Sequence, residues 1–123
     1  MTTAALLILI GRIILGLFFV VAGLRNFLRF GERKSLPTNY GWKLPVPITA
    51  LGFANQLLGG LSVMLGIYPI WGACALILFL IGATALFHNA MMFKGEEQQP
   101  HIYFTLVNIT LCAYCLTIIG QSL

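Results

Sequence analysis

Four apolar stretches, each long enough to cross a lipid bilayer, fill most of this 123-residue chain. They cover residues 4–25, 46–66, 69–88 and 102–120. A run of about 20 apolar residues matches the roughly 30 Å hydrocarbon core of a membrane, whereas core helices of soluble proteins are shorter. Only 8% of the residues are charged, against about a quarter in a soluble domain. The chain is therefore predicted to have lipid as its solvent.

The spans predict helices, because a segment in lipid must satisfy its own backbone polar groups. A β-barrel would alternate apolar and polar residues, and the continuous apolar run at residues 76–81 contradicts that pattern. The second and third links are short, which makes the helices on either side antiparallel neighbours. The fold class predicted is an all-α membrane protein, an antiparallel four-helix bundle that forms one domain over residues 1–123.

The positive charge of the chain is concentrated in one link. The first link, counted with Arg25 at the end of the first span, has a net charge of +4, from five basic residues and one acidic residue. They are Arg25, Arg29, Arg33, Lys34, Lys43 and Glu32. Because Lys and Arg accumulate in cytoplasmic loops, the first and third links are predicted to be cytoplasmic and both termini outside. The charge then serves topology and contact with anionic lipid, and nucleic acid is not an expected partner.

Each span carries small and polar residues on one helical face, at alternating steps of three and four residues. The faces are Arg12, Gly16, Phe19, Gly23 and Asn26; Gly52, Asn55, Gly59, Ser62 and Gly66; Cys74, Ile77, Ile81, Thr84 and His88; and Thr105, Asn108, Cys112 and Cys115. Such faces are expected to point into the bundle, because small residues allow close packing of helices in lipid. A repeat near 3.5 also favours a left-handed twist. The five glycines are predicted packing positions.

Arg12 is the strongest candidate for a functional site. An arginine inside the hydrocarbon region needs a partner, a water-filled pocket or a route to the headgroups. Two interpretations stay open. Arg12 could anchor an anionic or carbonyl-bearing ligand such as a quinone, or it could extend to the membrane surface. Asn55, His88 and Asn108 complete the predicted ligand-binding set. His88 could exchange protons near the cytoplasmic face or simply end its helix.

Cys112 and Cys115 form a CxxC sequence, a spacing that supports thiol–disulfide exchange where the thiols are reactive and accessible. Inside a membrane helix, small apolar packing is the alternative, and it is the expected role here. No metal site is predicted, since the cysteines and His88 lie at different depths and tetrahedral ligands must converge.

Several of these residues also carry a resemblance. Residues 11–23 resemble the opening helix of the DoxX family of small four-helix bacterial membrane proteins, with Arg12, Gly16 and Gly23 at its Arg and Gly positions. Further likenesses lie in the later spans, at Gly59-Gly60, Leu65-Gly66, Gly82-Ala83-Thr84, Phe87-His88 and Asn108. The resemblance implies a bacterial inner-membrane protein associated with membrane redox systems.

The chain departs from the family pattern at two places. Asn26 stands where a lysine is common, and Asn55-Gln56 occupies the neighbourhood of an acidic residue. The loss of that carboxylate argues against a proton relay.

Three functions are consistent with the sequence. The leading hypothesis is a non-catalytic subunit of a bacterial redox or respiratory complex, with other integral-membrane proteins or further copies as partners. It would contact membrane lipid or quinone, and no other cofactor is predicted. The alternatives are a subunit that reacts with quinone directly and an oligomeric carrier or channel for small solutes.

Overall fold

The computed structural model describes all residues from Met1 to Leu123, and it is helical without any strand. The helices are α1 (Thr3–Leu28), α2 (Phe30–Arg33), α3 (Val46–Leu65), α4 (Pro69–Phe87) and α5 (Gln98–Ser122), with single 3₁₀ turns at Ala90–Met92 and Gly95–Glu97. Helices α1, α3, α4 and α5 are long and apolar enough to cross a membrane. The prediction of an all-α protein with four spans is confirmed.

Local signals in the sequence set the ends of these helices. The Thr2 hydroxyl accepts a hydrogen bond from the Ala5 amide at 3.0 Å and so caps α1. Helix α3 ends at Leu65 and is followed by the cap residue Gly66, whose φ of 70° is readily adopted by glycine. Pro69 then starts α4, where its missing N–H costs nothing. The turn between them is consequently tight, and α3 and α4 are antiparallel.

The helices pack in chain order, with α1 on α3, α3 on α4 and α4 on α5. Helix α5 also reaches α1 through Tyr114, whose hydroxyl lies against Gly11. We call the end of the bundle with both termini and the Gly66 turn the terminal end. The opposite end, with the first and third links, is the basic end.

The buried core lies between the middle of the bundle and its terminal end. Phe19, Val63, Leu76 and Cys115 are its largest fully buried side chains. Leu15, Ala73, Leu80 and Ile118 complete it. Most other large apolar side chains are exposed, as Leu7 and Ile14 are, and such a surface is stable against lipid rather than water.

Glycines allow the close approach of α1, α3 and α4. A Cβ added to Gly16 would lie 2.6 Å from the Gly60 carbonyl oxygen, so the backbones of α1 and α3 touch there. A Cβ added to Gly23 would lie 3.1 Å from the Leu57 backbone nitrogen. Between α3 and α4, a Cβ on Gly59 would lie 3.1 Å from the Gly72 carbonyl oxygen. Small residues therefore hold these three helices together, as expected in lipid.

Two details of the predicted faces are wrong. Cys74 and Ile81 were expected to point inward on α4, but both are exposed, and Ala73, Leu76 and Leu80 are buried instead. The buried face is turned by about one residue because α4 is apolar all round, so its small and polar residues do not mark the packed side. Gly52 is not a packing position either, because a Cβ there would meet nothing within 4 Å.

Tyr68 is strained and offers a direct stability test. Its φ of 49° lies in the left-handed region, which costs roughly 1–2 kcal/mol for a residue with a Cβ. Tyr68→Gly is therefore expected to raise the free energy of unfolding by about 1 kcal/mol, measured by thermal unfolding in detergent. Tyr68→Ala keeps the Cβ and removes the same ring, so it serves as the control. A gain shared by both variants would contradict backbone strain as the cause.

Candidate functional site

A large cavity lies at the basic end, between α3 and α4 and beneath the first link. Its volume is about 760 Å³. Most of its wall is apolar, and Leu36, Ile48, Phe79 and Leu86 contribute to it. Leu51 and Leu78 also line the cavity and are themselves 67% and 70% exposed, so the cavity opens towards lipid.

The cavity exists because α3 and α4 are in contact near the terminal end and move apart towards the basic end. The two helices touch at Gly59 and Gly72, and the Asn55 amide still donates to the Ala75 carbonyl at 2.8 Å. Further towards the basic end the contact is lost. Gly52 on α3 and Gly82 on α4 both line the cavity, and a Cβ on either would meet nothing within 4 Å.

The first link covers this space by bonding to the end of α4. The Asn39 backbone amide donates to the Leu86 carbonyl at 2.7 Å, and its side-chain amide donates to the Ala85 carbonyl at 3.2 Å. The Tyr40 hydroxyl donates to the same Ala85 carbonyl at 3.1 Å. These carbonyls have no partner within the helix, so the link supplies the cap that the end of α4 requires.

A tight turn gives the link its shape. The backbone amide and the hydroxyl of Thr38 both donate to the Trp42 carbonyl at 2.8 Å, and Gly41 provides the φ of 90° that the turn needs. Thr38 is 4% exposed, which makes it one of two buried polar side chains in the chain. Its hydrogen bonds let a polar residue sit at this buried position.

Aromatic packing fixes α2 beside the cavity. The rings of Phe27 and Phe30 lie 6.0 and 6.2 Å from the ring of Phe53 on α3, both edge to face. Arg33, at the end of α2, consequently lines the cavity. Its Nε is buried and has no hydrogen-bond partner. Arg33 as a whole is half-buried, and a buried Nε without a partner is uncommon, because buried polar groups are normally bonded.

An amide pair stands at the inner margin of the cavity. The Asn26 side-chain amide on α1 donates to Gln56 Oε1 on α3 at 2.9 Å, and Gln56 is only 5% exposed. These residues lie in the neighbourhoods where the family resemblance implies a lysine and an acidic residue. The bond joins the two helices through a neutral pair, and Asn26 is a further lining residue.

Arg12 lies at the other end of the bundle. Its guanidinium is packed against the turn at Gly66, where a Cβ would lie 2.9 Å from Arg12 Nη2. Its Nε is also buried without a hydrogen-bond partner. Along α3, Gly66 is 14 residues from Gly52, or about 20 Å at 1.5 Å per residue. Arg12 therefore cannot touch a ligand in the cavity.

His88 and Asn108 lie close to the basic end but in different surroundings. His88 lines the cavity, and its Nδ1 lies 3.2 Å from Nδ1 of His101. The Asn108 amide donates to the Thr84 hydroxyl at 2.9 Å, which joins α5 to α4. The side chains of Asn108 and Thr84 line a second groove of about 450 Å³ on the opposite side of α4.

The three cysteines are free thiols in three environments. Cys115 is buried in the core, Cys112 is half-buried and Cys74 is exposed. Cys112 and Cys115 lie on the continuous helix α5. Adjacent turns of a rigid helix are a poor geometry for a disulfide, so the arrangement favours packing over thiol exchange.

A family model described as DoxX matches residues 7–89, which is more than half of the chain. The chain belongs to the DoxX family. The matched residues include α1 to α4 except for the first turn of α1, and they include every residue that lines the large cavity. Helix α5 lies outside them. No curated protein and no solved structure matches the chain.

This DoxX protein brings together only part of the predicted ligand-binding set. Asn55 and His88 line the cavity, whereas Arg12 and Asn108 do not. Sequence reasoning missed Arg33 as a site residue because it counted the residue only as part of the basic link. It also missed Gln56, although that residue is an uncharged polar group in the middle of a span, which is itself a signal of an interhelical bond.

Proposed function

We propose that this DoxX protein is a non-catalytic subunit of a bacterial membrane redox or respiratory complex, and that α5 docks on a transmembrane helix of a partner protein. The supporting observation is a stripe of small residues on the exposed face of α5. The stripe consists of Thr110, Ala113, Thr117 and Gly120. Contact with membrane lipid or quinone is part of the same proposal, and the large cavity supports it.

The stripe has the chemistry of a helix-packing surface. Its residues follow steps of three, four and three, which places them on one face of α5. The Thr110 and Thr117 hydroxyls donate to carbonyls of their own helix, those of Leu106 at 2.9 Å and Ala113 at 3.1 Å. The stripe therefore presents no unpaired polar group. Helices in lipid associate through close backbone contact, which small residues permit.

The distribution of charged residues supports a non-catalytic role. All three acidic residues, Glu32, Glu96 and Glu97, lie in the links, so the spanning helices carry no carboxylate. A proton relay through the membrane uses such groups. The basic link supports an inner-membrane orientation in which the basic end is cytoplasmic and the termini are outside.

Docking through α5 is testable by bulky substitution. Ala113→Leu together with Gly120→Leu is expected to lower recovery of the stoichiometric partner at least about fivefold, because overpacking costs roughly 1–3 kcal/mol. Recovery is measured by mild-detergent purification and mass spectrometry. Ala4→Leu together with Ala5→Leu, on the exposed first turn of α1, adds similar bulk elsewhere and should leave recovery unchanged.

Two results would contradict this proposal. Unchanged recovery in the double variant would remove α5 from the interface. A monodisperse homo-oligomer that the same substitutions dissociate would place a second copy of the chain on the stripe, in place of a partner protein.

A further inference from the structure

We infer that the large cavity binds one anionic phospholipid, with an acyl chain between α3 and α4 and the phosphate against Arg33. This inference rests on the ligand-contact part of the proposed function and not on docking through α5. It places the ligand at the basic end, about 20 Å along α3 from the turn that Arg12 contacts.

The shape and lining of the cavity suit an acyl chain. A volume of about 760 Å³ falls within the range of roughly 300–1,000 Å³ that is typical of ligand sites. The walls are mainly apolar, and the opening faces lipid between Leu51 and Leu78. A chain from the surrounding leaflet can enter sideways without leaving a hydrocarbon environment. A small polar metabolite would find few partners on these walls.

Arg33 supplies the recognition of charge. Its Nε is buried and has no hydrogen-bond partner, and no carboxylate lines the cavity. The two lining asparagines are already engaged, since Asn26 donates to Gln56 and Asn55 to the Ala75 carbonyl. The guanidinium is thus a charged donor with unused capacity at the cavity. Phosphate oxygens match its planar donor geometry and form charge-assisted hydrogen bonds with it.

The surroundings favour a lipid phosphate over a quinone. A quinone is neutral and offers only carbonyl oxygens, which would leave the arginine charge uncompensated. The first link, together with Arg25 at the end of α1, carries a net charge of +4, which attracts anionic lipid to this end of the bundle. Tyr40 and Trp42 in the same link are exposed and stacked, as is common for aromatic side chains at headgroup level.

The charge requirement can be tested with the purified full-length protein in lipid nanodiscs. The discs contain phosphatidylglycerol and phosphatidylcholine in equal amounts, and native mass spectrometry counts the lipid retained after transfer to mild detergent. We expect the wild type to retain phosphatidylglycerol selectively. Arg33→Gln should lower that retention about tenfold or more, as expected for the loss of a charged hydrogen bond.

Arg29→Gln is the matched control for charge. It removes the same charge from the same link, but Arg29 is exposed and does not line the cavity. It should lower retention by no more than about fivefold, the effect of one surface charge on anionic lipid. Arg33→Lys should restore part of the retention. Thermal unfolding in detergent confirms that each variant is folded.

The cavity requirement is tested by Gly82→Leu, which adds a bulky side chain at a lining position where a Cβ meets nothing within 4 Å. Retention of phosphatidylglycerol should be lost. Cys74→Leu adds a similar side chain to the exposed part of α4 outside the cavity and should retain the lipid.

Other outcomes would overturn the inference. Equal retention of the two lipids would show that the protein does not select anionic lipid. Equal losses in the Arg29 and Arg33 variants would show a general attraction of anionic lipid to the basic link, without a specific site at Arg33. A quinone retained from the native membrane in place of phospholipid would support ligand contact but reject this ligand. Partner recovery measured on the same preparations reports on docking separately, so failure of one proposal does not imply failure of the other.

Discussion

Gly16→Ala is expected to destabilise the bundle strongly. The new Cβ would lie 2.6 Å from the Gly60 carbonyl oxygen and 2.7 Å from the Met64 backbone nitrogen. These are backbone atoms of α3, so no side-chain rotation relieves the contact, and α1 must move away from α3. Overpacking of this kind costs about 1–3 kcal/mol, and the loss of the Gly16–Gly60 approach places this substitution at the upper end. Thermal unfolding in detergent measures the effect.

Gly82→Ala is the matched control. Gly82 is also a glycine inside a spanning helix, but a Cβ there meets nothing within 4 Å. Alanine is favoured over glycine in a helix by about 1 kcal/mol, so this variant should be neutral or slightly more stable. Equal destabilisation by both alanines would show that helix flexibility, not contact between α1 and α3, is the reason for these glycines.

Phe19→Ala is expected to be the most damaging single truncation of the core. Phe19 has no exposed surface and lies in the cluster that joins all four spans. In soluble proteins, Phe→Ala in a core costs about 3–5 kcal/mol, from lost transfer to an apolar medium together with the cavity left behind. In lipid the separated helix still faces hydrocarbon, so the transfer contribution largely disappears. We expect about 3 kcal/mol or slightly less, from lost packing alone.

The neighbouring Phe18 gives a control of the same residue type. Its side chain is 52% exposed and points towards lipid, although its ring contacts that of Phe19 at 5.2 Å. Phe18→Ala should change stability by less than about 1 kcal/mol, the value of one aromatic pair. Comparable losses for the two variants would mean that this bundle is held by general apolarity and not by a packed core.

The spans were predictable because lipid sets their length and composition. The predicted limits of α3 and α4 agree with the structure to within one residue, and proline and glycine mark their junction. Helix α5 begins at Gln98, four residues before the predicted start, because its first turn is polar and extends beyond the apolar stretch. Composition detects the hydrocarbon-spanning part of such a helix and not its whole length.

Inward faces were predictable only where polarity or backbone contact distinguishes them. On α1 and α5, Gly16, Gly23 and Asn108 lie on sides that contact a neighbouring helix. On α4 the true contacts are Gly72 and Ala73, which differ little in character from the exposed Cys74. Lipid and protein interior are both apolar, so hydrophobicity does not distinguish them.

The cavity could not be derived from the sequence. It depends on the divergence of α3 from α4 and on a link that folds back over 45 residues of chain, from Tyr40 to the Ala85 carbonyl. No periodicity encodes such long-range contacts. Arg33 could be recognised as a site residue only after that link was in place.

The placement of the core has a mechanical consequence. Close packing resists deformation, and the fully buried side chains lie from the middle of the bundle to the terminal end. The opposite half is held by hydrogen bonds and a few aromatic contacts around an open space. A change in lateral pressure or bilayer thickness would therefore be absorbed mainly where α3 and α4 stand apart, which makes that half the compliant part of the molecule.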